Sequence, residues 1–245
     1  MIAKNEFNLV KKEQLTKTIW AFWFNGEQLP DWQAGQYMEW VLPHSNIDKR
    51  GTRRFFTIAS SPTEKELMIA TKVINPSSTF KVALRDINIG DPITAQDVNG
   101  DFILPKDRNA ELVFIAGGIG ITPFRSMLKW LLDTNQQQPI TLLYANKTAD
   151  EIAFKDFLDK TANFGWLKPI YFFSTKLSTY EVDSNGFRDG LIDENAIRKY
   201  VPDFQDKLFY VSGPEPVVEA MEKILKKIGI RGRQLKTDYF PGYSD

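Results

Sequence analysis

The strongest constraint on the fold is a change of texture near residues 105 to 109. After "ILPKDRNAE" the chain alternates apolar segments ("LVFIAGG", "ITLLYAN", "PIYFFST", "KLFYVSG") with amphipathic ones ("PFRSMLKWLLD", "EIAFKDFLDK", "NAIRKYV", "EPVVEAMEKILKKIG"). Such alternation predicts a Rossmann-like parallel sheet with helices on both faces. Before the change, "EFNLVKKEQLTKTIWAFWFN", "QYMEWVLP", "RRFFTIAS", "ELMIATKVI" and "DPITAQDV" read as strands between Gly, Pro, Asn and Asp turns, which predicts an antiparallel sandwich or barrel. One segment departs from that rule. "SSTFKVALRDI" places Phe80, Ala83, Leu84 and Ile87 at helical spacing behind a Ser78 or Thr79 cap. The expectation is two domains, 1–106 and 107–245, and 245 residues give each half enough chain to bury a core.

Lysine plus arginine equal aspartate plus glutamate at 31 each, so overall charge points to neither a nucleic acid nor a membrane surface. There is no cysteine, which excludes thiolate nucleophiles, zinc–thiolate sites and cysteine-ligated iron–sulfur clusters within this chain. No apolar run reaches the roughly 18 residues of a membrane span, and the expectation is a cytoplasmic protein.

"FIAGGIGITPFRSML" is the most informative stretch of the second half. A strand runs into Gly117, Gly118 and Gly120. Thr122 then suits the N-cap and Pro123 the first position of a helix that buries Phe124, Met127, Leu128, Leu131 and Leu132. Glycines at such a turn let a ligand approach the backbone, and the helix N-terminus favours phosphate. Tight packing alone explains the glycines equally well, since neither a P-loop nor the full dinucleotide fingerprint is present. "YVSGPEPVVEAM" repeats the arrangement, with Ser212, Gly213 and Pro214 leading into a helix expected to bury Val217, Val218, Met221, Ile224, Leu225 and Ile228. The sole histidine, His44, lies far off in "PHSNIDKR", so Ser212 has no base to make it a nucleophile, and His44 reads as a solvated loop residue.

Taken in order and spacing, "RRFFTIASSP", "TFKVAL", "GDFILP", "GGIGITP", "SGPEPVVEAM" and "DYFPGY" resemble the ferredoxin–NADP reductase superfamily of flavoproteins over essentially the whole chain. The resemblance implies a flavin-binding antiparallel Greek-key β-barrel followed by a pyridine-nucleotide domain. The family's Arg-x-Tyr-Ser/Thr motif falls on Arg54, Phe56 and Thr57: arginine to the flavin pyrophosphate, an aromatic ring on the isoalloxazine, a hydroxyl near its reactive edge. Phe55, between them, joins the expected flavin-binding set. Ser78 and Thr79 match a second phosphate contact, and Gly118, Gly120 and Thr122 match the nucleotide-pyrophosphate loop. Ser212, Gly213 and Pro214 match a Cys-Gly-Pro motif beside the nicotinamide, and Asp238 and Phe240 the terminal acidic and aromatic pair, Phe240 covering the flavin. Thr57, Ser212, Asp238 and Phe240 are thus the implied catalytic group.

Two departures carry consequences. Phe56 in place of tyrosine keeps the ring but loses a hydroxyl, which predicts weaker flavin retention. Ser212 in place of cysteine leaves a small hydroxyl by the hydride path. Asn146 and Lys147 fall where the family contacts the adenosine ribose, and Ser174, Thr175 and Lys176 follow at the next strand end, a slight lean toward NADPH over NADH. The resemblance implies FAD more than FMN. The implied function is an NAD(P)H-dependent oxidoreductase passing electrons to a separate carrier such as ferredoxin or flavodoxin, or to a diffusible acceptor. Reduction of free flavin or ferric chelates, and service as a subunit of a larger complex, are the alternatives. Lys223, Lys226, Lys227, Arg231, Arg233 and Lys236 form either a dock for an acidic carrier or an ordinary solvated face.

Overall fold

The computed structural model describes residues 5–175 and 187–240. The first half forms β1 (Asn5–Gln14), β2 (Ile19–Asn25), β3 (Tyr37–Val41), β4 (Arg53–Thr57), β5 (Leu67–Lys72), α1 (Thr79–Asp86) and β6 (Pro92–Asn99). Its strands make one antiparallel six-stranded sheet in the order β4-β3-β6-β1-β2-β5. The sheet curls. The segment leaving β4 bonds back to β5, with Ala59 N donating to Met68 O at 2.7 Å. Alternating residues fill the interior, among them Phe7, Phe22, Phe24, Met38, Trp40 and Ile69. Each such fully buried side chain contributes roughly 2 to 3 kcal/mol of transfer free energy. α1 closes one end of the half-barrel by burying Phe80 and Leu84. Ser78 is its N-cap, the hydroxyl accepting from Lys81 N at 3.4 Å.

The second half alternates β7 (Leu112–Gly117), α2 (Ile121–Asp133), β8 (Ile140–Asn146), α3 (Lys155–Ala162), β9 (Leu167–Phe173), β10 (Phe187–Asp189), α4 (Glu194–Tyr200), β11 (Leu208–Pro214), α5 (Glu215–Lys227) and β12 (Leu235–Phe240). All six strands are parallel, in the order β10-β9-β8-β7-β11-β12. Parallel strands covered on both faces read as continuous apolar runs, and every residue of β7 is buried.

The halves are welded together. One core cluster contains Ile19, Ala21, Met68 and Ala70 of the first sheet beside Phe114, Phe124 and Met127 of the second. Across the seam Ser126 Oγ donates to Ser60 O at 2.6 Å, and Arg125 reaches Ala59 O at 3.1 Å and the Glu64 carboxylate. No helix among the described residues is long and apolar enough to cross a membrane.

Several local expectations need correction. Thr122 is not the N-cap: a 3-10 turn over Gly118–Gly120 precedes α2, Gly120 takes the cap position, and the Thr122 hydroxyl donates back to Ile119 O at 3.1 Å. Leu132, Ile224 and Ile228 are only half-buried, and Val217 is 37% exposed because it faces a cleft rather than the core. His44 is half-buried and engaged, its Nδ1 against Leu42 O at 2.8 Å and its Nε2 against Thr79 Oγ1 at 2.9 Å.

Candidate functional site

The second sheet reverses direction between β7 and β11. After β7 the chain adds β8, β9 and β10 on one side, then crosses back to lay β11 on the other. The carboxyl ends of strands at such a switch point border a crevice. Here those ends are Gly117 to Gly120 and Ser212 to Pro214, and they touch: a Cβ on Gly120 would lie 2.1 Å from Ser212 O. Gly118 has the opposite surroundings. Its φ is +51° and a Cβ would meet nothing within 4 Å, so the backbone there is open to a ligand.

The crevice faces the half-barrel. A cavity of about 260 Å³ brings together Arg54, Phe55, Phe56 and Thr57 of β4 with Thr122 and Phe240 from the other half. An adjoining cavity of about 690 Å³ is lined by Ser78, Gly118, Asn146, Lys147, Ser174 and Pro214. Arg50, Lys81 and Ile119 line both, so the two are parts of one cleft. Thr79, Gly120, Ser212, Gly213 and Asp238 line neither cavity. Lys176 falls outside the described residues, as does the end of the "DYFPGY" motif.

Strand alternation sorts the β4 side chains. Arg54, Phe56 and Thr57 are buried, whereas Phe55 is 57% exposed and meets Tyr37 edge-on at 5.7 Å. Phe56 leans on Phe80 at 5.9 Å, so the more accessible ring of the pair is Phe55. The Arg54 fork is fully committed. Its Nη1 donates to the carbonyls of Arg50, Gly51 and Arg53, and its Nη2 to Asp48 Oδ1 at 3.3 Å. Only Nε is buried without a partner. Burial, then the neighbouring Arg50 charge, pull the guanidinium pKa down, and Asp48 opposes them. Burial works to raise the Asp48 carboxyl, but the Thr79 and Arg50 amides and the Arg54 charge outweigh it and hold its pKa below the ordinary aspartate value.

Behind the strand ends, Ser212 stands opposite Asp238 in the register of β11 and β12. Burial raises the Asp238 carboxyl to about 6, the Asp101 charge adds to this, and the Ser212 hydroxyl counters it. That influence acts without hydrogen-bond geometry, since Ser212 Oγ is buried and unpartnered. Both amide atoms of Asn146 are likewise buried without partners, while Lys147 is exposed.

The residues present fit a flavin nucleotide. An acidic side chain already sits on the α1 N-terminus, with Thr79 N donating to Asp48 Oδ2 at 3.0 Å, so the cradle accepts an anion. Gly118 leaves open space at the second turn. Sequence reasoning missed Asp48 and the Lys72–Glu151 ion pair that spans the halves at 3.3 Å, and it read the engaged His44 as solvated. Only Asp48 left a signal, an acidic residue six positions before Arg54 in a glycine-containing loop.

The fold places the chain in a class of architecture: two domains arranged as in ferredoxin–NADP+ reductase and in the FAD/NAD-binding domain of a nitric oxide dioxygenase. Within it, residues 114–223 match the oxidoreductase NAD-binding domain family. The chain is similar to the FAD/NAD-binding domain of nitric oxide dioxygenase from Vibrio cholerae, with a TM-score of 0.82 and 19% identity over 96% of this chain and 98% of that one. It is similar also to ferredoxin–NADP+ reductase from Plasmodium falciparum, with a TM-score of 0.76 and 20% identity over 97% and 96% of the two chains. In sequence it is 25% identical over 238 residues to a flavohemoprotein of Bacillus subtilis, covering 96% of this chain and 58% of that protein. The chain thus spans little more than half the length of that relative.

Proposed function

We propose that the chain is an FAD-dependent NAD(P)H oxidoreductase, with residues 1–106 holding the flavin and residues 107–245 the nicotinamide nucleotide. The observation that carries this reading is the single cleft at the switch point, which gathers the β4 residues, Thr122 and Phe240 from two separate halves. Bound there, FAD supplies a two-electron acceptor for hydride that can release electrons one at a time.

The protein's part is placement and exclusion of water. Arg54, Ser78 and Thr79 hold the flavin phosphates, and Phe55 and Phe56 offer ring faces. Thr57 places a hydroxyl in the 260 Å³ part of the cleft. Gly118, Gly120 and Thr122 shape the turn for the nucleotide diphosphate, with Asn146, Lys147 and Ser174 on the adenosine side. Pro214 lines the wall at the nicotinamide, with Ser212 and Gly213 behind it. Phe240 lies over the ring position and must swing aside for nicotinamide to approach. Asp238, a half-buried acid whose carboxyl is raised to about 6 by burial, stands opposite Ser212 at the strand end.

Electrons leave to a separate carrier such as ferredoxin or flavodoxin. Within the basic cluster, Lys226 pairs with Glu222, Lys227 pairs with Glu194, and Lys236 bonds the carbonyls of Asp101 and Ile103. Exposed Lys223, Arg231 and Arg233 are the positions offered to an acidic partner. Incubation with FAD followed by gel filtration tests the reading: a flavin spectrum should travel with the protein in stoichiometric amount. Protein that emerges colourless after incubation with FAD and with FMN contradicts it.

A further inference from the structure

The first amide of α1 and both terminal nitrogens of Arg54 are already in use, and of the Arg54 fork Nε alone is buried without a partner. Thr79 N, the first amide of α1, donates to Asp48 Oδ2 at 3.0 Å, and Arg54 Nη2 reaches Asp48 Oδ1 at 3.3 Å. The Thr79 hydroxyl lies 2.9 Å from His44 Nε2 and accepts from Asp48 N at 3.1 Å. Arg54 Nη1 is wrapped by the carbonyls of Arg50, Gly51 and Arg53, which belong to the same loop as Asp48. One carboxylate therefore bridges a helix N-terminal amide and a buried guanidinium, the pair of donors that a phosphate would take.

We propose that Asp48 is a built-in substitute for a flavin phosphate, and that loading of a phosphate-bearing flavin displaces it from Thr79 and Arg54. The inference rests on the flavin reading of the cleft. A carboxylate and a phosphate cannot share these donors, because two anions side by side in a partly buried site repel.

The loop is built to leave. Asp48 is only partly covered, at 27% exposure of its side chain, while Arg54 beneath it is 6% exposed. The turn is closed locally by Gly51 N to Asp48 O at 3.0 Å, and Gly51 sits at φ +69° in open space. Its release requires Asp48 N to part from the Thr79 hydroxyl and Arg54 Nη1 from the Arg50 and Gly51 carbonyls. The substitution of one anion for another keeps Arg54 and the α1 amide paired when the flavin is absent, so the empty cradle does not expose a buried cation. The same arrangement sets affinity, because a dinucleotide must compete with an internal ligand, whereas riboflavin, which carries no phosphate, leaves Asp48 in place.

The test compares the wild-type chain with Asp48→Asn, both freed of flavin, in fluorescence titrations with FAD and with riboflavin. Asparagine keeps the loop's shape and removes the competing charge. The expected result is FAD binding tighter by about tenfold in Asp48→Asn, with slower FAD release and unchanged riboflavin affinity. FAD affinity that is equal or weaker in the variant, with riboflavin bound alike by both, overturns the displacement. Amide hydrogen exchange on the wild-type protein gives an independent reading should the variant fail to fold. FAD should speed exchange in residues 44 to 53 as they are released, and slowed exchange there overturns the proposal. If the wild-type chain binds neither FAD, FMN nor riboflavin, the flavin reading itself fails and the displacement falls with it.

Discussion

Gly120→Ala is expected to lower the unfolding free energy by about 3 kcal/mol, the upper range for forcing a methyl group into filled space. The conformation is not the obstacle. Gly120 has φ −60° and ψ −3°, which alanine adopts freely. The obstacle is the strand end opposite: the new Cβ would lie 2.1 Å from Ser212 O, 2.4 Å from Ser212 C and 2.6 Å from Gly213 Cα. These are backbone atoms of β11, fixed between β7 and β12 by pairing on both sides. Relief requires the two strand ends to part, which also widens the turn proposed to hold the nucleotide. Gly118→Ala provides the control. There the φ of +51° imposes a left-handed strain of about 1 to 2 kcal/mol, but no atom lies within 4 Å. Urea denaturation of both variants should therefore rank Gly120→Ala as the more damaging, and the reverse order would contradict the packing of the strand ends.

Asp238→Asn is expected to stabilise the protein at pH 7 by about 1 to 2 kcal/mol and to have no such effect near pH 4. Asp238 is raised from 3.8 to about 6 by burial. Below the unfolded value both states carry the proton and the group costs nothing as an ion. Between about 4 and 6 the unfolded chain gives up the proton while the folded chain keeps it. Stability contributed by this carboxyl therefore falls as pH rises through that window and stays low above it. The full shift would correspond to about 3 kcal/mol, and the partial exposure of the half-buried side chain reduces it through solvent screening. Unfolding curves at pH 4, 5, 6 and 7 should converge for wild type and variant at the acid end, separate progressively between about pH 4 and 6, and stay apart above that. Parallel curves throughout would place the Asp238 carboxyl in water.

Both halves of the fold were legible because the signals are local. The alternation in "RRFFTIAS" and the spacing of Phe124, Met127, Leu128 and Leu131 are fixed by strand and helix periods within a few residues. The glycines at the ends of β7 and β11 were legible for the same reason. What escaped depends on residues far apart in the chain. Nothing in "PHSNIDKR" shows that His44 and Asp48 fold onto Thr79, some thirty positions on, and so His44 read as a solvated residue. Alternation could not show which of Phe55 and Phe56 keeps an open face, since Phe80 of α1 decides it. Val217 fits the buried stripe of α5 by spacing, yet the cleft removes its cover. Thr122 had the chemistry of a cap, but the 3-10 turn moved the helix start and left its hydroxyl bonded backward.

The account stands or falls on whether nicotinamide and flavin meet in the cleft between the halves. The most direct measurement is an anaerobic titration of the FAD-loaded protein with NADPH and, separately, with NADH, following the flavin absorbance. Loss of the oxidised flavin spectrum at stoichiometric nucleotide, with one nucleotide more effective than the other, is the predicted result. FAD that stays bound and fully oxidised through an excess of both nucleotides would contradict it.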